Sequence, residues 1–131
     1  MPFSYEIDTA RRLVVIILTG DVSGRDIHDA ISTYVEDPAW RPGYDRVWDS
    51  SGTKSMVLDL DEVRRIWKLL EALQSRMGEG RTAVVARRDV DRTAAEIIRA
   101  KTPWPLRIFP TMEKALAWID EAPPAQGTGR P

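Results

Sequence analysis

The run Leu13-Val14-Val15-Ile16-Ile17-Leu18 constrains this chain more than any other stretch. Its residues are all apolar and mostly β-branched, and successive side chains of a strand point to opposite faces. A strand that is apolar on both faces needs cover on both, which in an α/β domain comes from helices. The same run is far short of the roughly 20 apolar residues that a membrane-crossing helix needs, so no membrane span is expected.

The surrounding sequence supplies the partners of that strand. Phe3, Tyr5 and Ile7 alternate with polar residues, the period of a half-buried strand. The link Asp8-Thr9-Ala10-Arg11-Arg12 is short, so the two strands are expected to form a hairpin. Ser23 precedes Asp26 by three residues, like a capping box with Asp in place of Glu. Ile27, Ala30, Ile31, Tyr34 and Val35 then form one helical stripe. Pro38, Pro42 and Gly43 mark a loop containing Trp40, and Tyr44 to Trp48 reads as a short third strand.

Asp59 with Glu62 repeats the acidic helix start, and Val63, Ile66, Trp67, Leu70, Leu73 and Met77 follow until Gly78 stops the helix. Thr82–Ala86 reads as a fourth strand. Asp89 or Asp91 is placed to cap a helix carrying Val90, Ala94, Ile97 and Ile98, ended by Thr102-Pro103. Leu106–Phe109 is a fifth strand, and Thr111 caps a last helix with Met112, Ala115, Leu116 and Ile119. The order ββαβαβαβα predicts an α/β fold: a five-stranded mixed sheet covered by four helices, parallel outside the opening hairpin. Residues 1–120 form one domain in this reading, and the Pro- and Gly-rich stretch 121–131 is expected to be disordered.

Composition narrows the function. Lys plus Arg number 19 against 20 for Asp plus Glu, a net charge of −1, so the strong positive field of a nucleic-acid binder is missing. Without cysteine there are no disulfides, thiolate metal sites or cysteine nucleophiles. The one histidine, His28, sits at the edge of a helix stripe and has no second histidine to share a metal. No metal or cofactor is expected, and the start of the chain does not read as a secretory leader, which points to the cytoplasm.

The polar group with the best position is Asp49-Ser50-Ser51-Gly52 with Lys54, just beyond the third strand, at the end of a parallel sheet where ligands collect. Ser50 and Ser51 read as turn residues before Gly52, since small polar side chains satisfy loop backbone. Asp59 and Asp61 read as capping and first-turn carboxylates. The five tryptophans are many for this length. Trp67 and Trp118 are expected against the sheet, while Trp40, Trp48 and Trp104 are candidates for lining a pocket or a contact surface. A pocket that serves an apolar ligand would need several hundred Å³. Arg87-Arg88, after the fourth strand, read as a solvated loop pair.

In order and spacing, the chain resembles the STAS domain, and within it the SpoIIAA-like family related to the CRAL-TRIO proteins. The features are Tyr5-Glu6-Ile7-Asp8, Leu18-Thr19-Gly20, the loop from Asp37-Pro38 to Pro42-Gly43-Tyr44, Asp49 closing the third strand, and Ile108-Phe109 followed by Glu113-Lys114-Ala115-Leu116-Ala117-Trp118-Ile119. The resemblance reaches about Asp120. Anti-sigma-factor antagonists of this kind carry an Asp or Asn at the end of the third strand and a phosphorylated Asp-Ser-Ser-Gly at the following helix start. By strand position Asp49 matches the former. At the helix start, Asp59-Leu60-Asp61-Glu62-Val63 puts Asp61 where the phospho-acceptor serine would stand. The resemblance implies a non-enzymatic regulatory module that contacts a protein partner, compatible with a homo-oligomer. The alternative it implies is a binder of a small apolar or lipid-like ligand.

Overall fold

In the computed structural model, which describes residues 2–121, the chain opens with β1 (Phe3–Asp8) and β2 (Leu13–Ser23), paired antiparallel. Their turn is held by the Arg11 amide donating to Asp8 Oδ1 at 3.0 Å, with Arg12 in the left-handed region at φ 56°. Then follow α1 (Gly24–Tyr34), β3 (Asp45–Val57), α2 (Leu60–Met77), β4 (Thr82–Val85), α3 (Asp89–Arg99), β5 (Leu106–Phe109) and α4 (Met112–Asp120). The sheet order is β1-β2-β3-β4-β5, parallel from β2 onward. This is the expected mixed sheet with four helices. Of the expected disordered tail, residues 122–131 lie outside the described residues.

The double-sided strand is covered as its composition demands. Val14, Ile16 and Leu18 pack with Ile27, Ile31 and Tyr34 of α1 and Ile66, Leu70 and Met77 of α2. Leu13 joins Val47, Ala83 and Val85 under Ala115, Trp118 and Ile119 of α4. Residues of one face are therefore two apart along each strand, and the two cores share only the sheet. Both expected capping boxes form, Ser23 with Asp26 and Asp59 with Glu62.

Several local expectations are corrected. The third strand does not stop at Trp48; it runs through Asp-Ser-Ser-Gly to Val57, paired in parallel with an equally extended β2. Two register shifts, at Ile17/Thr19 and Gly20/Asp21, let the long pair twist. Gly52 permits close contact there, since a Cβ would stand 3.2 Å from Thr19 Cγ2. Ser50 and Ser51 are therefore strand residues and not turn residues.

Helix α3 is capped by neither aspartate: its N-cap is Arg88, without a side-chain cap, and Asp91 points into the protein. The buried stripe is Asp91, Ala94 and Ala95, while Val90 and Ile97 are exposed. Trp67 does not lie on the sheet; it reaches α3, its Nε1 donating to the Ile98 carbonyl at 3.2 Å.

Candidate functional site

Beyond Asp49, β3 leaves β4 behind and is paired on one side only, by β2. The polar residues singled out from the sequence lie along this arm, split between its faces. Ser50 is buried, and its hydroxyl donates to the Val85 carbonyl at 2.5 Å. Ser51 is exposed, and both its amide and its hydroxyl donate to Asp49 Oδ1, at 3.0 and 2.6 Å. Adjacent strand residues point opposite ways, so the two serines cannot act on one substrate.

What holds the unpaired edge of the arm was not visible in the sequence. Arg88 Nη1 donates to the Lys54 carbonyl at 2.5 Å, taking the place of a ladder partner. The same guanidinium grips Asp91, and Thr53 Oγ1 lies 3.0 Å from Asp91 Oδ2 and 2.9 Å from the Ser50 carbonyl. Arg88 is thus no solvated loop residue; it clamps the start of α3 to the arm. The pairing favours its charged form and raises its pKa. A sequence signal existed: Asp91, Ala94, Ala95 and Ile98 share helical spacing, so Asp91 could be read as inward.

At the far end of the arm the starts of α1 and α2 meet. Asp59 Oδ1 accepts from the Glu62 amide at 2.8 Å, and Glu62 Oε1 accepts from the amides of Asp59 at 3.3 Å and Gly24 at 3.2 Å. Gly24 is obligatory in this approach, because a Cβ would come within 2.6 Å of Glu62 Cβ. Asp61 is exposed, 3.7 Å from Arg64. Around these carboxylates Val57 and Leu60 stand out at 65% and 59% exposure. The exposed end therefore combines an apolar step with acidic groups.

The candidate tryptophans separate. Trp40 is buried edge-on against Tyr34, ring centroids 6.4 Å apart. Trp48 and Trp104 border a cavity between the sheet and α1, α2 and α3. Its free space is about 80 Å³, less than an apolar-ligand pocket was expected to need. Arg46, a residue not singled out from the sequence, lines it. Its signal was its phase, two residues from Tyr44 and from Trp48 on one face of the strand.

No protein-family model and no curated protein matches the sequence. Solved structures do match. An uncharacterized protein of the DUF3478 family from Shewanella loihica PV-4, described as having a SpoIIAA-like fold, aligns over 89% of this chain and 91% of its own, with TM-score 0.59 and 16% identity. The anti-sigma factor antagonist SpoIIAA in its unphosphorylated form aligns over 92% of this chain and 99% of its own, with TM-score 0.56 and 21% identity. With its strand order, its parallel β2–β5 and its helices on both faces, this chain has the SpoIIAA-like fold.

Proposed function

We propose that the chain is a non-enzymatic STAS-type regulatory module of the cytoplasm that docks a protein partner on the start of α2 and the arm before it. The observation that carries this is the exposure of Val57 and Leu60 on either side of the Asp59 cap. Large apolar side chains that the fold leaves in water at a rigid, capped helix start suit a contact surface. Asp59 and Asp61 beside them favour a partner that presents an apolar side chain among lysines or arginines. The non-enzymatic reading is supported by the serines: the Ser50 hydroxyl is occupied with the Val85 carbonyl, and Ser51 donates to Asp49 with no histidine joining that pair among the described hydrogen bonds. The SpoIIAA-like fold, shared with a protein named an anti-sigma factor antagonist, agrees with a regulatory role. The lipid-like alternative has only the cavity to rest on, and about 80 Å³ holds much less than an acyl chain.

The test is affinity capture from the native cell with the unmodified chain and with Val57→Ser/Leu60→Ser. A partner retained by the former and lost with the latter, at unchanged melting temperature, is the expected result. A partner held equally by both would move the docking surface elsewhere.

A further inference from the structure

Among the described residues the sheet has open edges at β1, at β5 and along both sides of the β2–β3 arm. An open edge invites another strand, and folds blunt it with prolines, positive charges, bulges or covering contacts. β5 is four residues long, lies between Pro105 and Pro110, and carries the exposed Arg107. On the β3 side of the arm Arg88 occupies the Lys54 carbonyl. On its β2 side lies the register shift at Gly20/Asp21, with Gly20 at φ 72°. β1 has none of these devices. Its residues, Phe3-Ser4-Tyr5-Glu6-Ile7-Asp8, include no proline, lysine or arginine and pair with β2 in unbroken register.

The ladder decides which backbone groups of β1 face outward. The Thr19 amide donates to the Pro2 carbonyl at 2.9 Å, so Pro2 and Thr19 form a hydrogen-bonded pair in the β1–β2 register. Hydrogen-bonded and non-hydrogen-bonded pairs alternate along an antiparallel ladder. Ser4, Glu6 and Asp8 therefore turn their N–H and C=O groups to β2, and Phe3, Tyr5 and Ile7 turn theirs to the outer edge. Among the described residues no backbone hydrogen bond outside the regular elements engages those outward groups.

We propose that this edge pairs with the same edge of a second copy of the chain, antiparallel about a two-fold axis at Tyr5, so that two five-stranded sheets become one. In that register Tyr5 opposes its own equivalent, Phe3 opposes Ile7, and Ser4 opposes Glu6. All the outward N–H and C=O groups of Phe3, Tyr5 and Ile7 then find partners. Tyr5 and Ile7, only half-buried in the single chain, meet apolar or aromatic neighbours on the same face. Other registers are poorer. An axis at Glu6 sets the two Glu6 carboxylates directly opposite each other, and an axis at Ser4 leaves the Ile7 groups without a partner in the strand. With the axis at Tyr5 the Glu6 carboxylates are diagonal, roughly 7–8 Å apart in water, where repulsion is small. An edge that complements itself in this way fits an isologous contact between identical chains. One strand pair covers less than a standard interface, so the dimer is weak and depends on concentration. None of these residues belongs to the surface at α2, and the two readings fail independently.

The experiment is sedimentation equilibrium of the full chain from about 5 μM to about 1 mM, with amide hydrogen exchange at both ends of the range. A monomer–dimer equilibrium is expected. The amides of Phe3, Tyr5 and Ile7 should exchange more slowly at high concentration, while those of Ser4 and Glu6, already bonded to β2, should not change. Tyr5→Pro removes an outward N–H and none that β2 uses, and should abolish the dimer. Two substitutions at the exposed Ser4 keep the test intact if that variant does not fold. Ser4→Glu, opposite Glu6, should weaken association and Ser4→Lys should strengthen it, each by about two- to thirtyfold because the pair occurs twice. A monomer at every concentration would overturn the proposal, as would a dimer that Ser4→Lys weakens. Exchange of the Phe3, Tyr5 and Ile7 amides at one rate throughout the range would overturn it too.

Discussion

Arg88 holds the buried carboxylate of Asp91 in a two-point fork, Nε to Oδ2 at 2.9 Å and Nη2 to Oδ1 at 3.1 Å. The pair lies three residues apart in sequence but ties α3 to the β3 arm through Thr53 and the Lys54 carbonyl. Such a clamp stands where the arm has no neighbouring strand, and its removal has consequences of unequal size.

Arg88→Met leaves Asp91 buried and unpaired. Breaking a buried pair in this way costs about 3–5 kcal/mol when both partners are enclosed. Arg88 is 40% exposed, so water screens the pair and the loss is expected to be well below that of a fully enclosed pair but measurable. Arg88→Met/Asp91→Leu should recover part of it, because no charge is then stranded. Urea unfolding of the two variants measures the difference; equal stability of Arg88→Met and the parent would remove the clamp from the account.

The two adjacent serines should respond differently to truncation. Ser50→Ala takes the donor from the Val85 carbonyl inside the protein and should cost about 1 kcal/mol. Ser51→Ala changes an exposed side chain and should stay within about 0.5 kcal/mol. Chemical denaturation of both variants provides the comparison.

Phosphate is expected on neither serine. Ser50 is 4% exposed and hydrogen-bonded, closed to a kinase in the folded state. A phosphate on Ser51 would meet Asp49, whose Oδ1 is 2.6 Å from the hydroxyl, and like charges repel. Asp61→Ser, at the capped and exposed start of α2, is the change expected to create an acceptor. Intact-mass measurement of the native protein decides, and stoichiometric phosphate on Ser50 or Ser51 would defeat the prediction.

Gly80 should not tolerate a side chain. Its φ is +132°, and a Cβ would stand 2.8 Å from the Tyr44 carbonyl oxygen and 3.2 Å from Arg46 Nη1. Gly80→Ala combines backbone strain with displacement of the buried guanidinium, and a loss of about 1–3 kcal/mol is expected. A melting temperature equal to the parent's would contradict it.

Alkaline stability should depend on Tyr34. Burial raises its pKa to about 12, and the nearby Arg46 charge only partly opposes this. Because the folded value lies above the ordinary 10.0, the stabilisation is complete below pH 10 and is lost as pH rises toward about 12. Tyr34→Phe should remove that loss and shift alkaline unfolding to higher pH. Circular dichroism against pH for both proteins tests the direction.

Much of this architecture was legible because it rests on local periodicity. The two-faced run at Leu13–Leu18, the stripe of α1, that of α2 apart from Trp67, and the caps at Ser23, Asp59 and Thr111 appear as read. Each depends on residues within a few positions of one another, where side-chain direction and capping geometry follow from spacing. The same locality explains the errors. Asp-Ser-Ser-Gly has the composition of a turn, yet parallel pairing of Asp49 with Ile17 and Gly52 with Thr19, across a register shift at the two serines, makes it part of a strand, since the neighbouring strand can outweigh local preference. Asp91 and Arg88 had acceptable surface readings in isolation, and only the unpaired edge of β3 gives them an inward task. Arg46 was one charged residue in a strand until Tyr44, Thr82 and Trp104, brought together from three separate segments, enclosed it. The sequence by itself therefore determined the elements, their order and the sheet they build. Which polar side chains are buried, what they hold, and where an empty space lies beside a charge were decided by tertiary contacts, because burial is a property of distant segments meeting.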